Sequence, residues 1–184
     1  MQKINTMAFL ENETIRLRAL EPEDLEVLYR WENDSDLWAY GSTLAPYSKF
    51  ALREYIAESR HDIFQTRQLR LMIMLKDGNN AVGMIDLYDF DPMNLRAGVG
   101  ILLDHEYRNQ GLGTQALLLI QQYAFEFLSL KQLFAYIPKA NIHSIKLFAK
   151  CNYKQAGILQ AWTKQRDAFD DALVVQLINE RFNS

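Results

Sequence analysis

At 184 residues, 49% hydrophobic and 12% aromatic, the chain has the length and composition of one globular domain with a sizeable core, which excludes intrinsic disorder. A formal net charge of −3 offers no positive field for nucleic acid and does not repel a cationic partner. One cysteine, Cys151, rules out an internal disulfide, and there is neither a run of ~18 uncharged apolar residues for a membrane span nor a basic, apolar leader in residues 1–13, so the expected location is the cytoplasm.

Residues 14–20 alternate Ile15, Leu17 and Ala19 against Arg16 and Arg18, the period of a strand with one wet face. A helix follows, with Pro22 in its first turn, the acids Glu21, Glu23 and Asp24 at its positive end, and Leu25, Leu28 and Tyr29 facing inward. Ser48 caps a second helix that runs to about Glu58. Between the two, Asp34, Asp36, Trp38, Tyr40 and Tyr47 form either a substrate lip or a surface connection. Leu69–Leu75 and residues 81–89 flank Asp77-Gly78-Asn79-Asn80 and read as a hairpin, and Arg96–Leu103 adds a strand. Then come a helix over 112–128, a strand over 132–137, a helix over 141–150, and strands near 157–164 and 172–178. These elements predict an α/β fold, a mixed sheet with helices on both faces. Residues 99–103 and 133–137, apolar and joined by a helix, form its parallel pair. No repeat or linker marks a second domain, so residues 1–184 read as one.

Between the first parallel strand and its helix lies Arg108-Asn109-Gln110-Gly111-Leu112-Gly113-Thr114. Amides at a helix N-terminus lack intrahelical partners and glycines admit close approach, so this turn is an anion cradle for a nucleotide-like ligand. A Walker loop is excluded because Gly113 is followed by Thr114 and Gln115 with no lysine. A dinucleotide fingerprint is formally matched by Gly111-Leu112-Gly113-Thr114-Gln115-Ala116, but seven residues separate Leu103 from Gly111, and the strand ending at Ile137 runs into Pro138 and Lys139 instead of an acid.

The pattern Arg108-x-x-Gly111-x-Gly113 after a strand, then helix, strand and Asn141-x-x-Ser144 opening a further helix, resembles the GNAT superfamily of acyl-CoA-dependent N-acetyltransferases over most of the chain. Residues 15–20 leading into Glu21-Pro22-Glu23-Asp24-Leu25, together with Asn152-Tyr153-Lys154-Gln155-Ala156-Gly157, resemble the branch of spermidine and ribosomal-protein N-terminal acetyltransferases. The resemblance implies that the two parallel strands splay and hold acetyl-CoA as co-substrate, without a metal. Its pantetheine would lie along Ile101, Leu102 and Leu103. The diphosphate would meet the backbone of Arg108, Asn109, Gln110, Gly111, Leu112, Gly113 and Thr114, and the helix bearing Asn141, Ser144 and Phe148 would fix the arm. Gly98-Val99-Gly100 either hosts a bulge that aims an N–H at the thioester carbonyl or marks close helix packing.

Two positions depart from the resemblance: many relatives carry a basic glutamate where this chain has Gly98, and an acidic tyrosine where it has Phe148. Losing the acid costs at most the roughly 10²–10⁴-fold of one such group, because a thiol of pKa ~8.5 leaves tolerably as thiolate. Losing the base matters more. An alkylammonium of pKa about 10.4 sits roughly 3.4 units above pH 7, on the order of 4.6 kcal/mol, against about one kcal/mol for an α-amino group near ~7.8. Asp86 and Asp89, flanking Tyr88, are the substitute bases, although period-2 geometry sends them to opposite faces unless a bulge intervenes. Tyr136 is either a donor to the thiolate or a core aromatic. His61, His105 and His143 are too scattered for a metal triad. The expected activity is acetyl transfer to a primary amine, with a polyamine such as spermidine first and a peptide N-terminus second. Glu32, Asp34 and Asp36 are available to hold a polycation. A non-catalytic CoA-binding sensor is the alternative. No nucleic-acid or membrane partner is expected, and a homo-oligomer is left open.

Overall fold

The alternation in Leu69–Leu75 decides which helices lie on which side of the sheet. In this computed structural model, which describes residues 9–34, 45–59, 62–165 and 168–183, Leu71 and Ile73 join one core while Met72 and Met74 join another. Seven strands build the sheet: β1 (Ile15–Ala19), β2 (Leu69–Leu75), β3 (Ala81–Asp91), β4 (Arg96–Leu103), β5 (Gln132–Pro138), β6 (Lys154–Gln165) and β7 (Ala168–Ile178). Their spatial order is β1-β2-β3-β4-β5-β7-β6, antiparallel throughout except for β4 and β5.

On one face, Ile85, Leu87, Val99, Leu133 and Ile137 pack beneath α4 (Leu112–Gln122), through Ala116, Leu117 and Ile120, and beneath α5 (Ile142–Lys150), through Phe148. On the other, Met72, Met74 and Met84 are covered by Leu28 and Trp31 of α1 (Leu25–Glu32) and by Leu52 and Ile56 of α2 (Lys49–Glu58). Burial of such side chains contributes roughly 1.5–3 kcal/mol each, so two layers of helix are what the two-sided strands require. Helices therefore cover both faces, and α1 and α2 lie over the β2–β3 half.

Local chemistry sets the boundaries. Ser48 accepts from the Ala51 N–H at 3.1 Å and starts α2 as its spacing predicts. Gly78 and Asn79 both take positive φ, 73° and 53°, the backbone that a primed hairpin turn needs. The first helix opens with a 3-10 turn, Pro22–Asp24, closed by a reciprocal capping box between Glu21 and Asp24. Asp24 is only 4% exposed because the Arg18 guanidinium grips both of its oxygens, at 2.6 and 2.7 Å.

The differences from the sequence reading have physical causes. The helix expected over 112–128 changes at Tyr123–Phe127 to a wider π turn, which stacks the Tyr123 and Phe127 rings at 5.2 Å. Strands β6 and β7 extend beyond the apolar stretches because their polar ends pair only with each other, as Thr163 with Asp170 and Lys164 with Phe169. A four-residue helix, α3 (Ile63–Thr66), forms because Asp62 caps the N–H groups of Phe64 and Gln65. Of the expected lip, Asp36, Trp38 and Tyr40 lie outside the described residues, as does His61.

Candidate active site

Parallel pairing of β4 with β5 covers only Arg96–Gln132, Ala97–Leu133 and Gly98–Phe134. Beyond that point β4 stays with β3 as far as Leu103, and β5 stays with β7 as far as Pro138. The two strands therefore open into a wedge. Ile101, Leu102 and Leu103, all half-buried, lie on the β4 arm of this wedge.

At the end of that arm, Asp104 accepts from the indole of Trp31 at 2.8 Å and from Arg30 at 2.6 Å, tying α1 to the end of β4. A 3-10 turn, His105–Tyr107, leads into the glycine segment. Arg108 folds back so that its Nε donates to the Leu103 carbonyl at 3.0 Å, and the Gln110 side chain donates to the Glu106 carbonyl at 2.8 Å. Gly111 occupies the N-cap with φ of 80° and open space where a Cβ would stand. The first bond of α4 runs from Gln115 N to Gly111 O, so the Leu112, Gly113 and Thr114 amides precede any intrahelical acceptor. A Cβ on Gly113 would meet Leu147 at 3.2 Å and Leu103 at 3.3 Å, which shows how tightly the turn is clamped between β4 and α5.

Asn141 caps α5 by accepting from the Ser144 N–H at 3.1 Å, which commits its carboxamide oxygen. Phe148 is 3% exposed and meets Tyr153 edge-on, with ring centroids 4.9 Å apart. The Tyr153 hydroxyl is pushed up by burial, and the nearby Gln121 carboxamide makes no hydrogen bond of normal geometry with it. Burial also pushes the Cys151 thiol up, as befits an inert core cysteine.

On the opposite face, Asp86 stands across from Gly100. Both of its oxygens are taken by Arg70, through Nε and one terminal nitrogen at 2.8 Å each, while the other terminal nitrogen donates to Glu32 at 2.6 Å. Burial opposes the Arg70 charge, but Asp86, Tyr55 and Glu32 outweigh it and hold the guanidinium above its ordinary value. The Tyr55 ring lies 5.2 Å from that guanidinium, and burial raises its hydroxyl.

The expected bulge falls on the neighbouring strand. Gly98-Val99-Gly100 keeps unbroken register with Tyr88, Leu87 and Asp86, and the slip comes between Tyr88 and Asp91, where Asp89 takes φ of 49°. The β3 bulge turns Asp89 toward a cavity of about 390 Å³ lined also by Asp91, Arg96, Gln132, Phe134 and Tyr136. Asp89 is exposed and makes no ion pair or hydrogen bond among the described residues, in contrast to Asp86. Gly98 is explained by a ring rather than by helix packing: a Cβ there would sit 2.3 Å from Cε2 of Tyr88. Tyr136 is 42% exposed, between Phe134 at 5.3 Å and Trp162 at 6.3 Å, and so is not a core aromatic.

Arg70, Tyr55 and Tyr88 are the site residues that sequence reasoning passed over. For Tyr88 the signal was available, since alternate glycines facing an aromatic on the neighbouring strand mark a ring laid across the backbone. Among the described residues there is no group of three or more His, Cys, Asp or Glu placed to hold a metal, and no helix long and apolar enough to cross a membrane.

The family model described as an acetyltransferase (GNAT) domain matches residues 14–154. In sequence the chain is similar to spermidine N(1)-acetyltransferase of Escherichia coli (strain K12), 29% identical over 147 residues, covering 79% of this chain and 76% of that protein. It is also similar to the SPbeta prophage-derived uncharacterized N-acetyltransferase YokL of Bacillus subtilis (strain 168), 26% identical over 177 residues, covering 96% of each. Its fold is similar to that of spermidine N-acetyltransferase from Vibrio cholerae crystallised with CoA and spermine, with a TM-score of 0.83, 20% identity, and 94% of this chain and 100% of that one covered. A dodecameric structure of the Vibrio cholerae enzyme gives a TM-score of 0.79 at 19% identity, covering 93% and 97%. With a strand pair that opens beside a glycine turn and a family match over most of its length, the chain belongs to the GNAT acetyltransferases.

Proposed function

We propose that this acetyltransferase moves the acetyl group of acetyl-CoA to a primary amine of a polyamine such as spermidine. The observation that carries the reading is the Asp86–Arg70–Glu32 cluster beside the wedge, where two carboxylates gather on one guanidinium. Half-buried carboxylates of this kind attract an ammonium more strongly than carboxylates on a wet surface would.

In the proposed complex, the amides of residues 108–114 hold the diphosphate, the edge at Ile101, Leu102 and Leu103 receives the pantetheine, and the Asn141 NH2 with Ser144 positions the arm over Phe148. The neutral amine attacks the thioester carbon, its lone pair forms the C–N bond, the C–S bond breaks, and CoA leaves as thiolate. Asp89, free of ion pairs among the described residues, takes the proton of the amine, whereas Asp86 acts as electrostatic anchor because Arg70 occupies both of its oxygens. Tyr136 serves as a wall of the acceptor cavity, and the thiolate takes its proton from water. Positioning and fixed dipoles then supply most of the acceleration.

The committed state of Asp86 also favours a second acceptor, a peptide N-terminus, whose lower pKa relieves the need for a base. Thiol release from acetyl-CoA with spermidine, butylamine and an N-terminal peptide as acceptors decides between them. The expected order of kcat/KM is spermidine first, at least about 10-fold above butylamine. Background rates with spermidine would refute the polyamine reading, and a lead for the peptide would install the second. Self-association, which a Vibrio cholerae relative displays, is proposed for this chain too and is read by light scattering.

A further inference from the structure

The Tyr88 ring lies flat on β4 where the wedge begins. Its cross-strand partner is Gly98, the last β4 residue to pair with β5, and a Cβ on Gly98 would stand 2.3 Å from Cε2 and 2.4 Å from Cζ of the ring. The other edge of the ring extends toward Gly100, with Cε1 3.9 Å from the place of its Cβ. The ring thus spans two β4 residues at the apex of the gap. Phe134 closes against the ring edge-on at 5.9 Å and 82°. Gly98 and Phe134 together fix the position of this side chain.

A thioester entering along Ile101, Leu102 and Leu103 points its acyl group toward this apex. We propose that Tyr88 sets the length of the acyl group, its ring forming the end wall of the acyl pocket, so that acetyl-CoA fits and longer thioesters do not. The inference rests on the acyl-CoA reading of the wedge. Among the described residues, Gly98 and Gly100 carry no side chain to take this place, and Asp86 is held back by Arg70. A wall made of one ring held between Gly98 and Phe134 yields little, and one methylene too many in such a pocket costs roughly 10–200-fold in kcat/KM.

The test compares acetyl-, propionyl- and butyryl-CoA on the wild type, Tyr88→Phe and Tyr88→Ala, by thiol release with spermidine and by binding calorimetry, which needs no acceptor. The wild type and Tyr88→Phe, which keeps the ring, are expected to prefer acetyl-CoA over butyryl-CoA strongly. Tyr88→Ala is expected to lower that preference at least about 10-fold, with butyryl-CoA gaining in absolute terms. If Tyr88→Ala loses its fold, Tyr88→Leu keeps apolar volume on β3 and must shift the ratio in the same direction. An unchanged ratio in a folded variant that still binds acetyl-CoA overturns this proposal alone. A wild type that binds none of the thioesters overturns the reading of the wedge and this inference with it.

Discussion

Gly98→Ala isolates the contact on which the acceptor side of the wedge is built. An added Cβ would lie 2.3 Å from one ring carbon of Tyr88 and 2.4 Å from another, against an ordinary carbon–carbon separation of about 3.5–4.0 Å, so ring or strand must give by more than about 1 Å. The ring cannot retreat freely, because Phe134 meets its edge. Overpacking of this kind costs about 1–3 kcal/mol and occasionally more, and the short distance places Gly98→Ala at the upper end. Without the ring, alanine gains roughly 0.5–1 kcal/mol over glycine in a strand through lower unfolded-state entropy. Gly98→Ala is therefore expected to destabilise the wild type by about 3 kcal/mol and to be neutral or stabilising in a Tyr88→Ala background, a coupling of roughly 3–4 kcal/mol. Urea denaturation of the four proteins, read as Cm with m unchanged, measures it. A cost below about 0.5 kcal/mol, or the same cost in both backgrounds, would refute the packing argument.

Burial acts to raise the Asp104 carboxyl, but the Trp31 indole, the Glu106 amide and Arg30 outweigh it and hold the group below the usual carboxylate range. A depressed folded-state pKa contributes stability that is fully present above the unfolded value of about 3.9 and is lost as pH falls through the folded value. Asp104→Asn should be less stable at neutral pH and flatten the loss of stability below about pH 4, with Trp31 fluorescence as the reporter; equal slopes for both proteins would contradict this. Arg70→Met removes both hydrogen bonds from Asp86 inside a half-buried cluster and is expected to cost about 3–5 kcal/mol in urea denaturation, much of it recovered by adding Asp86→Asn. No recovery in the double variant would show that the loss comes from elsewhere.

What the sequence announced was whatever is decided by neighbours along the chain. The hairpin at Asp77-Gly78-Asn79-Asn80, the Ser48 cap and the positive φ of Gly111 all follow from a few consecutive residues. Period-2 patterning also placed Asp86 and Asp89 on opposite faces, and it failed there because an extra residue enters β3 between Tyr88 and Asp91. Bulges carry little local signal when the residue in αL is an aspartate and not a glycine. The Asp86–Arg70–Glu32 cluster was illegible for another reason: Arg70 and Asp86 meet across the hairpin, and Glu32 arrives from α1, 38 residues away in sequence. The Gly98 departure from the resemblance has a packing cause, because a side chain at 98 and the Tyr88 ring cannot occupy the same space.

The same cluster that supports a cationic acceptor also creates a difficulty for a simple one. Carboxylates beside the wedge draw an ammonium in, but they equally favour the protonated form of that amine and deepen the roughly 4.6 kcal/mol needed to make an alkylamine neutral at pH 7. A monoamine must use its single nitrogen for both attraction and attack, so what it gains in binding it loses in nucleophilicity. A polyamine divides the tasks. In the proposed complex a distal ammonium would pair with the Asp86 and Glu32 carboxylates, while the reacting nitrogen would stand at the Gly98–Tyr88 apex, where a second positive charge on the same molecule lowers its pKa. This division predicts that the advantage of spermidine over butylamine lies more in kcat than in KM, since the anchor removes a penalty on the attacking amine as well as adding affinity. Asp86→Asn should then erode the advantage toward the monoamine level while leaving the butylamine rate within a few fold.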